Sequence, residues 1–233
     1  MKTPPIHKLY KRCFLSLKFT VHFQWGSSKD AFLYNRIMKY LITAIIGYLF
    51  GCFNTAYFVS KTRGFDIRDT GSGNAGASNI KMQLGWAAGA FTAFVDILKT
   101  ILAISLCRYL YPDDELVLFL AGVMSIIGHI FPFYMNFKGG KGFACYIGML
   151  IVINWKLALV LIIAGFLITI ITNYIALATM FMAVATPIYY IYIGADKYII
   201  MLLVLVGVII LYKHKINVIR IINHEEAGLR KKR

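Results

Sequence analysis

The chain has 233 residues, 59% of them hydrophobic and only 15% charged, which excludes an ordinary water-soluble domain. Apolar runs of roughly 18–20 residues or more, the length a helix needs to cross a bilayer, recur after Tyr40. A net charge of +15 without any DNA- or RNA-binding pattern excludes nucleic acid as the partner; retention on the cytoplasmic side and attraction to anionic headgroups or substrates account for it instead. The expected fold class is an all-α membrane protein of about seven transmembrane helices.

Residues 1–37 differ from the rest of the chain. They carry seven Lys or Arg against one acidic residue, Asp30, with no membrane-length run and no cleavable leader pattern. They read as a basic extension outside the domain, or else as an amphipathic anchor. Met38-Lys39-Tyr40 then opens a strongly hydrophobic segment, so the domain is expected over 38–226, with a basic tail at 227–233.

The first span is expected at 40–60, followed by a polar loop at 61–83. Further spans are expected at 84–107 and 116–135, and a second polar loop at 136–142. The stretch 143–212 is almost continuously apolar, broken near Asn154, Asn173 and Gly194–Lys197 into about four helices. With seven spans, both loops and the tail share one side. The positive-inside rule makes that side cytoplasmic. Residues 1–37 would then lie outside despite their charge, a second sign that they stand apart from the domain.

The first loop reads Gly71-Ser72-Gly73-Asn74-Ala75-Gly76-Ala77-Ser78-Asn79. Its glycines allow positive φ and close backbone approach, and successive N–H groups leading into a helix form an anion cradle. A plain surface turn is the alternative. The second loop, Phe137-Lys138-Gly139-Gly140-Lys141-Gly142, sets two ammonium groups around a glycine pair. It lacks the Walker spacing and is either a phosphate site or a basic loop touching headgroups. Gly128-His129-Ile130-Phe131-Pro132 precedes it.

Asp96 and Lys99 lie three residues apart in an apolar segment, either as an internal pair or with Lys99 reaching for the interface. In the tail, His214, Asn217 and Arg220 share a helical face, with Glu226 beyond. His214 fits an acid–base group or an anion ligand, unless the segment is simply a basic juxtamembrane tail. The scattered cysteines show no ligand spacing, so no metal is expected. Together these groups predict a membrane enzyme acting on phosphorylated, membrane-associated substrates.

In order and spacing, the Gly71–Asn79 stretch, Gly128–Pro132 with Phe137–Gly142, and His214-x-x-Asn217-x-x-Arg220 with Glu226 resemble the three motifs of the bacterial acyl-phosphate-dependent glycerol-3-phosphate acyltransferases. Asp66-Ile67-Arg68 and Asp96-x-x-Lys99 also resemble that family. The resemblance covers Met38 to Glu226. It implies a multi-pass enzyme of the bacterial cell membrane with its site at the cytoplasmic face. The enzyme would transfer a fatty acyl group from acyl phosphate to the 1-hydroxyl of sn-glycerol 3-phosphate, without cofactor or metal, as the first acylation of phospholipid synthesis. Ser72, His214 and Asn217 would be catalytic. Gly71, Gly73, Asn74, Gly76, Ser78, Asn79, Arg68, Lys138, Gly139, Gly140, Lys141, Gly142 and Arg220 would bind phosphate. Asp96, Lys99, His129 and Glu226 would support them. The hydroxyl proton would pass to the departing phosphate or to His214 or His129.

Met82 stands where the family usually has Arg, and Lys81 beside it is expected to point elsewhere on the helix. Ser78 and Cys145 replace Thr, and His224-Glu225 replaces Gly-Thr. A divergent paralogue of low activity is thus one alternative. A transporter or binding protein for phosphorylated metabolites is another, disfavoured because the polar groups gather at one surface and not at the midplane.

Overall fold

The computed structural model describes residues 28–230 and is entirely helical over them apart from turns and loops. Residues 1–27 and 231–233, and with them most of the expected extension and the end of the basic tail, lie outside the described residues. The chain divides into two units at Met38. Of the first, residues 28–38 form the opening of helix α1, Ser28–Cys52. That helix starts ten residues before the expected Met38, because neither Gly nor Pro interrupts the sequence from Ser28 to Ile46.

In the second unit the chain continues from α1 into α2 (Thr55–Lys61), α3 (Ala77–Leu84), α4 (Trp86–Leu110), α5 (Glu115–Ile130) and α6 (Phe143–Ile153). Then come α7 (Trp155–Thr172), α8 (Ile175–Tyr192), α9 (Lys197–Lys213) and α10 (Lys215–Ile222). Polar residues set the boundaries. Asp114, Asn154 and Asp196 each accept a hydrogen bond from a backbone N–H of the helix that they precede. Asn173, at φ 69°, ends α7. The breaks at Asn154, Asn173 and Gly194–Asp196 divide the apolar stretch into four helices, as its sequence predicts.

Among the described residues, five segments are long and apolar enough to cross a membrane, and α9 with α10, bent by 44°, makes a sixth if taken as one span. The fourth expected segment, α6, has eleven residues. At about 1.5 Å per residue it covers roughly half of a hydrocarbon core of about 30 Å. It packs instead against α4 and α5, burying Cys145, Tyr146, Met149 and Leu150. Helix α5 is the most buried of the spans, 61% along its apolar window against 22% for α7. The outer helices turn Phe91, Phe94, Phe166 and Ile171 outward, as lipid-facing surfaces do.

The expected first span is broken at Phe53–Asn54. The Asn54 side chain accepts from Tyr57 N–H, capping α2, and its amide donates to the Ala75 carbonyl at 3.2 Å. At the other end the tail returns to α7. Leu229 N–H donates to the Asn173 carbonyl (2.9 Å) and Arg230 N–H to the Asn173 side chain (2.8 Å).

Candidate active site

The first loop is shaped by a residue it does not expose. Asn79, fully buried, directs its amide toward the carbonyls of Ile67, Thr70 and Asn74 (2.9, 2.9 and 3.1 Å) and accepts from Ser72 N–H at 3.1 Å. One side chain therefore fixes four points of the loop, and Asn79 lies behind the cavity wall. Arg68 also stays behind it. Its guanidinium chelates Asp66 and donates to the Met135 carbonyl at 2.9 Å, tying the first loop to the second. That guanidinium holds the Asp66 carboxyl well below the usual carboxylate range.

With the loop so held, Gly76 caps α3 without any side-chain hydrogen bond. The N–H groups of Ala77 and Ser78 open the helix with no partner in it, the arrangement that favours an anion. Gly71, Ser72, Asn74, Gly76 and Ser78 all line one cavity of about 570 Å³. Gly73 lies outside its wall.

In the second loop the glycines do structural work and Lys141 the electrostatic. Gly139 N–H and Gly140 N–H donate to the Ile130 and His129 carbonyls, both at 3.0 Å. A Cβ on Gly140 would lie 2.1 Å from His129 Nε2 and 2.8 Å from the Ala75 carbonyl oxygen, so only glycine fits between the two loops. Gly142 and Lys141 line the cavity; Lys138 is exposed and does not. Lys141 Nζ donates to Asn217 Oδ1 at 2.5 Å, and burial, with Arg220 and Lys213 adding repulsion, brings its pKa down to about 8.

The opposite wall comes from the bend between α9 and α10. His214, buried at that bend, has Nδ1 2.8 Å from the Ile210 carbonyl. A carbonyl only accepts, so Nδ1 carries the proton and the neutral ring keeps its lone pair on Nε2. Asn217 bridges Lys141 to Glu226, donating to Oε1 at 2.6 Å. Arg220 and Glu226 complete this wall.

Beneath the polar end, Lys99 Nζ donates to Asp96 Oδ1 (2.8 Å), the Phe53 carbonyl (2.6 Å) and His129 Nδ1 (3.0 Å). Thr55 adds a hydrogen bond to Asp96 at 2.9 Å. Asp96 and Lys99 are thus an internal pair. An ammonium only donates, so the His129 Nδ1 lone pair is already engaged and His129 is not a free base. The network braces the α1–α2 break against the helix that carries the second loop. Away from the loops the wall is apolar: Ile97, Phe143, Ala144, Ile147, Ile175 and Ala176.

The sequence family described as glycerol-3-phosphate acyltransferase matches residues 41–224. The chain belongs to that family. Glycerol-3-phosphate acyltransferase 1 of Oceanobacillus iheyensis is 39% identical over 201 residues, 82% of this chain and 96% of the relative. The Bacillus subtilis glycerol-3-phosphate acyltransferase is 34% identical over 194 residues, 83% of this chain and 99% of the relative. Among solved structures, PlsY, an integral membrane glycerol 3-phosphate acyltransferase, matches in its glycerol 3-phosphate form with a TM-score of 0.76 and 28% identity. That match covers 82% of this chain and 96% of PlsY. The lysophosphatidic acid form matches with a TM-score of 0.73 and 27% identity, over 82% and 95%.

The expectation for Lys81 of this acyltransferase also needs correction. Lys81 does not point away from the site: it lines the same cavity as Met82. Its Nζ lies 3.9 Å from the centroid of the Trp86 ring, which opens α4 and draws the side chain across the helix face. Sequence spacing on α3 alone gave no sign of this, because Trp86 belongs to the next helix. Asn54 and Thr55 also escaped notice, although polar residues interrupting an apolar run were the available signal.

Proposed function

We propose that this acyltransferase moves a fatty acyl group from acyl phosphate to the 1-hydroxyl of sn-glycerol 3-phosphate, releasing 1-acylglycerol 3-phosphate and inorganic phosphate. The observation that carries the reading is a single cavity joining an open helix N-terminus, a lysine–asparagine–histidine wall and an apolar slot. Two phosphorylated substrates need two anion sites. The α3 N-terminus with Ser72 supplies one, and Lys141 with Asn217 and Arg220 the other. The apolar wall between α4, α6 and α8 suits an acyl chain.

In this reading the acceptor hydroxyl oxygen attacks the acyl carbonyl carbon. The bond from that carbon to the phosphate oxygen breaks, and phosphate departs with the electron pair. His214 Nε2 accepts the hydroxyl proton, a role supported by the Nδ1–H bond to Ile210. Ser72 and the α3 N–H groups steady the charge growing on the reacting groups. Holding both substrates in line supplies much of the acceleration.

The site faces the cytoplasm of a bacterial cell membrane in this proposal. Lys61, Arg63, Arg68, Lys81, Lys138, Lys141, Lys213, Lys215 and Arg220 gather with the cavity loops, whereas the opposite turns hold Arg108, Lys156 and Lys197 with Asp113, Asp114, Glu115 and Asp196. Met82 favours a second reading, a paralogue of weakened activity, but Lys81 in the same wall supplies a cation there.

Purified protein in lipid nanodiscs, given acyl phosphate and glycerol 3-phosphate, should release stoichiometric lysophosphatidic acid and phosphate. No product with acyl phosphate, or product only with an acyl thioester, would overturn the reading. A reaction appearing only in Met82→Arg would establish the weakened paralogue.

A further inference from the structure

Lys81 brings a positive charge into the cavity wall, yet no carboxylate lies within ion-pair distance of it among the described residues. The Trp86 face holds its ammonium without neutralising it. The backbone is shaped for this placement. A Cβ on Gly89 would lie 2.6 Å from Lys81 Cβ and 3.1 Å from the Ala77 carbonyl oxygen, so Lys81 lies this close to α4 because position 89 has no side chain. Lys81 lies one turn beyond Ala77, and the Ala77 and Ser78 N–H groups open the helix that carries it.

The charge balance of the cavity shows what Lys81 adds. Asp96 is matched by Lys99, leaving Lys141 and Arg220 against Glu225 and Glu226. Those four cancel. Without Lys81, two phosphate groups would meet a lining with no net charge, Lys213 standing behind it near Lys141; with Lys81, the cavity is cationic on the α3 side.

We propose that Lys81 is a phosphate-binding residue of the acyltransferase, passing from the Trp86 face to a phosphate oxygen held at the start of α3. The ligand chemistry is a phosphate monoester or an acyl phosphate. The proposal rests on the acyl-transfer reaction only for the identity of the two substrates.

Trp86 supplies a readout independent of catalysis. The chain has three tryptophans, so Trp25→Phe with Trp155→Phe leaves Trp86 as the sole indole. Titrating that protein with inorganic phosphate should give a saturable fluorescence change. The change should vanish in Lys81→Met and persist in Lys81→Arg. In steady-state kinetics, Lys81→Met should raise the KM of one substrate about tenfold, the size of a lost charge-assisted contact. A higher KM for glycerol 3-phosphate assigns the contact to the acceptor; a higher KM for acyl phosphate assigns it to the donor.

An unchanged phosphate response in Lys81→Met, or no saturable response in its parent, overturns the proposal. So does a Lys81→Met protein that loses thermal stability while both KM values stay put, since Lys81 then only packs α3 onto Trp86. A Lys81-dependent phosphate response in a protein without acyl transfer would refute the proposed reaction and leave this site standing.

Discussion

Lys141 and Asn217 belong to segments 76 residues apart and share a hydrogen bond of 2.5 Å. Asn217 passes the contact on to Glu226 through its amide. The second loop and the tail therefore meet inside the cavity as one chain of polar groups. Lys141→Met removes the cation and leaves the Asn217 oxygen unpartnered. A lost charge-assisted hydrogen bond of about 1.5–3 kcal/mol predicts roughly a 10- to 150-fold fall in kcat/KM for glycerol 3-phosphate. Initial rates over a range of acceptor concentration check it. Asn217→Ala should lose at least as much, since it breaks both bonds.

The pH dependence comes from the same lysine. Binding a phosphate needs the ammonium, whose pKa in the folded protein is brought down to about 8. As pH rises through that value, kcat/KM should fall with a slope of one proton. Stability should move the opposite way. The unfolded chain keeps its lysine protonated to the ordinary value of 10.5, so between the two values it binds more protons than the folded chain. The strain of the buried charge is thus fully present below about pH 8 and is relieved as pH climbs past it. Rate profiles and thermal unfolding in one buffer series should diverge, and in Lys141→Met both trends should flatten.

Asn79→Ala should damage the site without touching it. It strips the partner from Ser72 N–H and one donor from each of three loop carbonyls, of which Thr70 and Asn74 keep the N–H groups of Gly73 and Gly76. The Ile67 carbonyl and the Ser72 N–H lose their best partners, at about 1–3 kcal/mol for a group left unpaired, so the variant should melt lower and lose activity toward both substrates. Asn79→Asp should be no better, because it sets a carboxylate oxygen against those carbonyls. Retained KM values with an unchanged melting curve would contradict this account.

His214→Ala separates the two routes for the hydroxyl proton. With Nε2 as the acceptor, kcat should drop by about 10²–10⁴ while substrate binding holds. Single-turnover rates beside equilibrium phosphate binding give the two quantities separately. His129→Gln should behave differently, because His129 answers to Lys99 and carries no free lone pair. Its effect should be lower stability with a moderate kinetic loss. A near-normal kcat in His214→Ala would hand the proton to the departing phosphate.

Much of this architecture is legible in the sequence because a bilayer punishes polar residues. Glycine, serine and asparagine between long apolar runs stand out, and so the two loops and the His214–Arg220 segment could be found from the letters alone. What could not be read is the division of labour inside each loop. Asn79 and Asn74 look alike as letters, yet one is buried scaffold and the other lines the cavity. Arg68 and Lys141 are both basic, but an acidic neighbour two residues away captures the first. The direction of Lys81 depends on an indole across a helix boundary, which the local periodicity of α3 does not report.

The pinning of Leu229 and Arg230 to Asn173 has a practical corollary for anyone handling the protein. Glu225 to Gly228 form part of the cavity wall, so a purification handle fused directly after Arg230 would begin beside the cavity. Kinetics gathered on such a fusion would mix the enzyme's own behaviour with obstruction by the appendage. Excising the handle before assay removes that confusion.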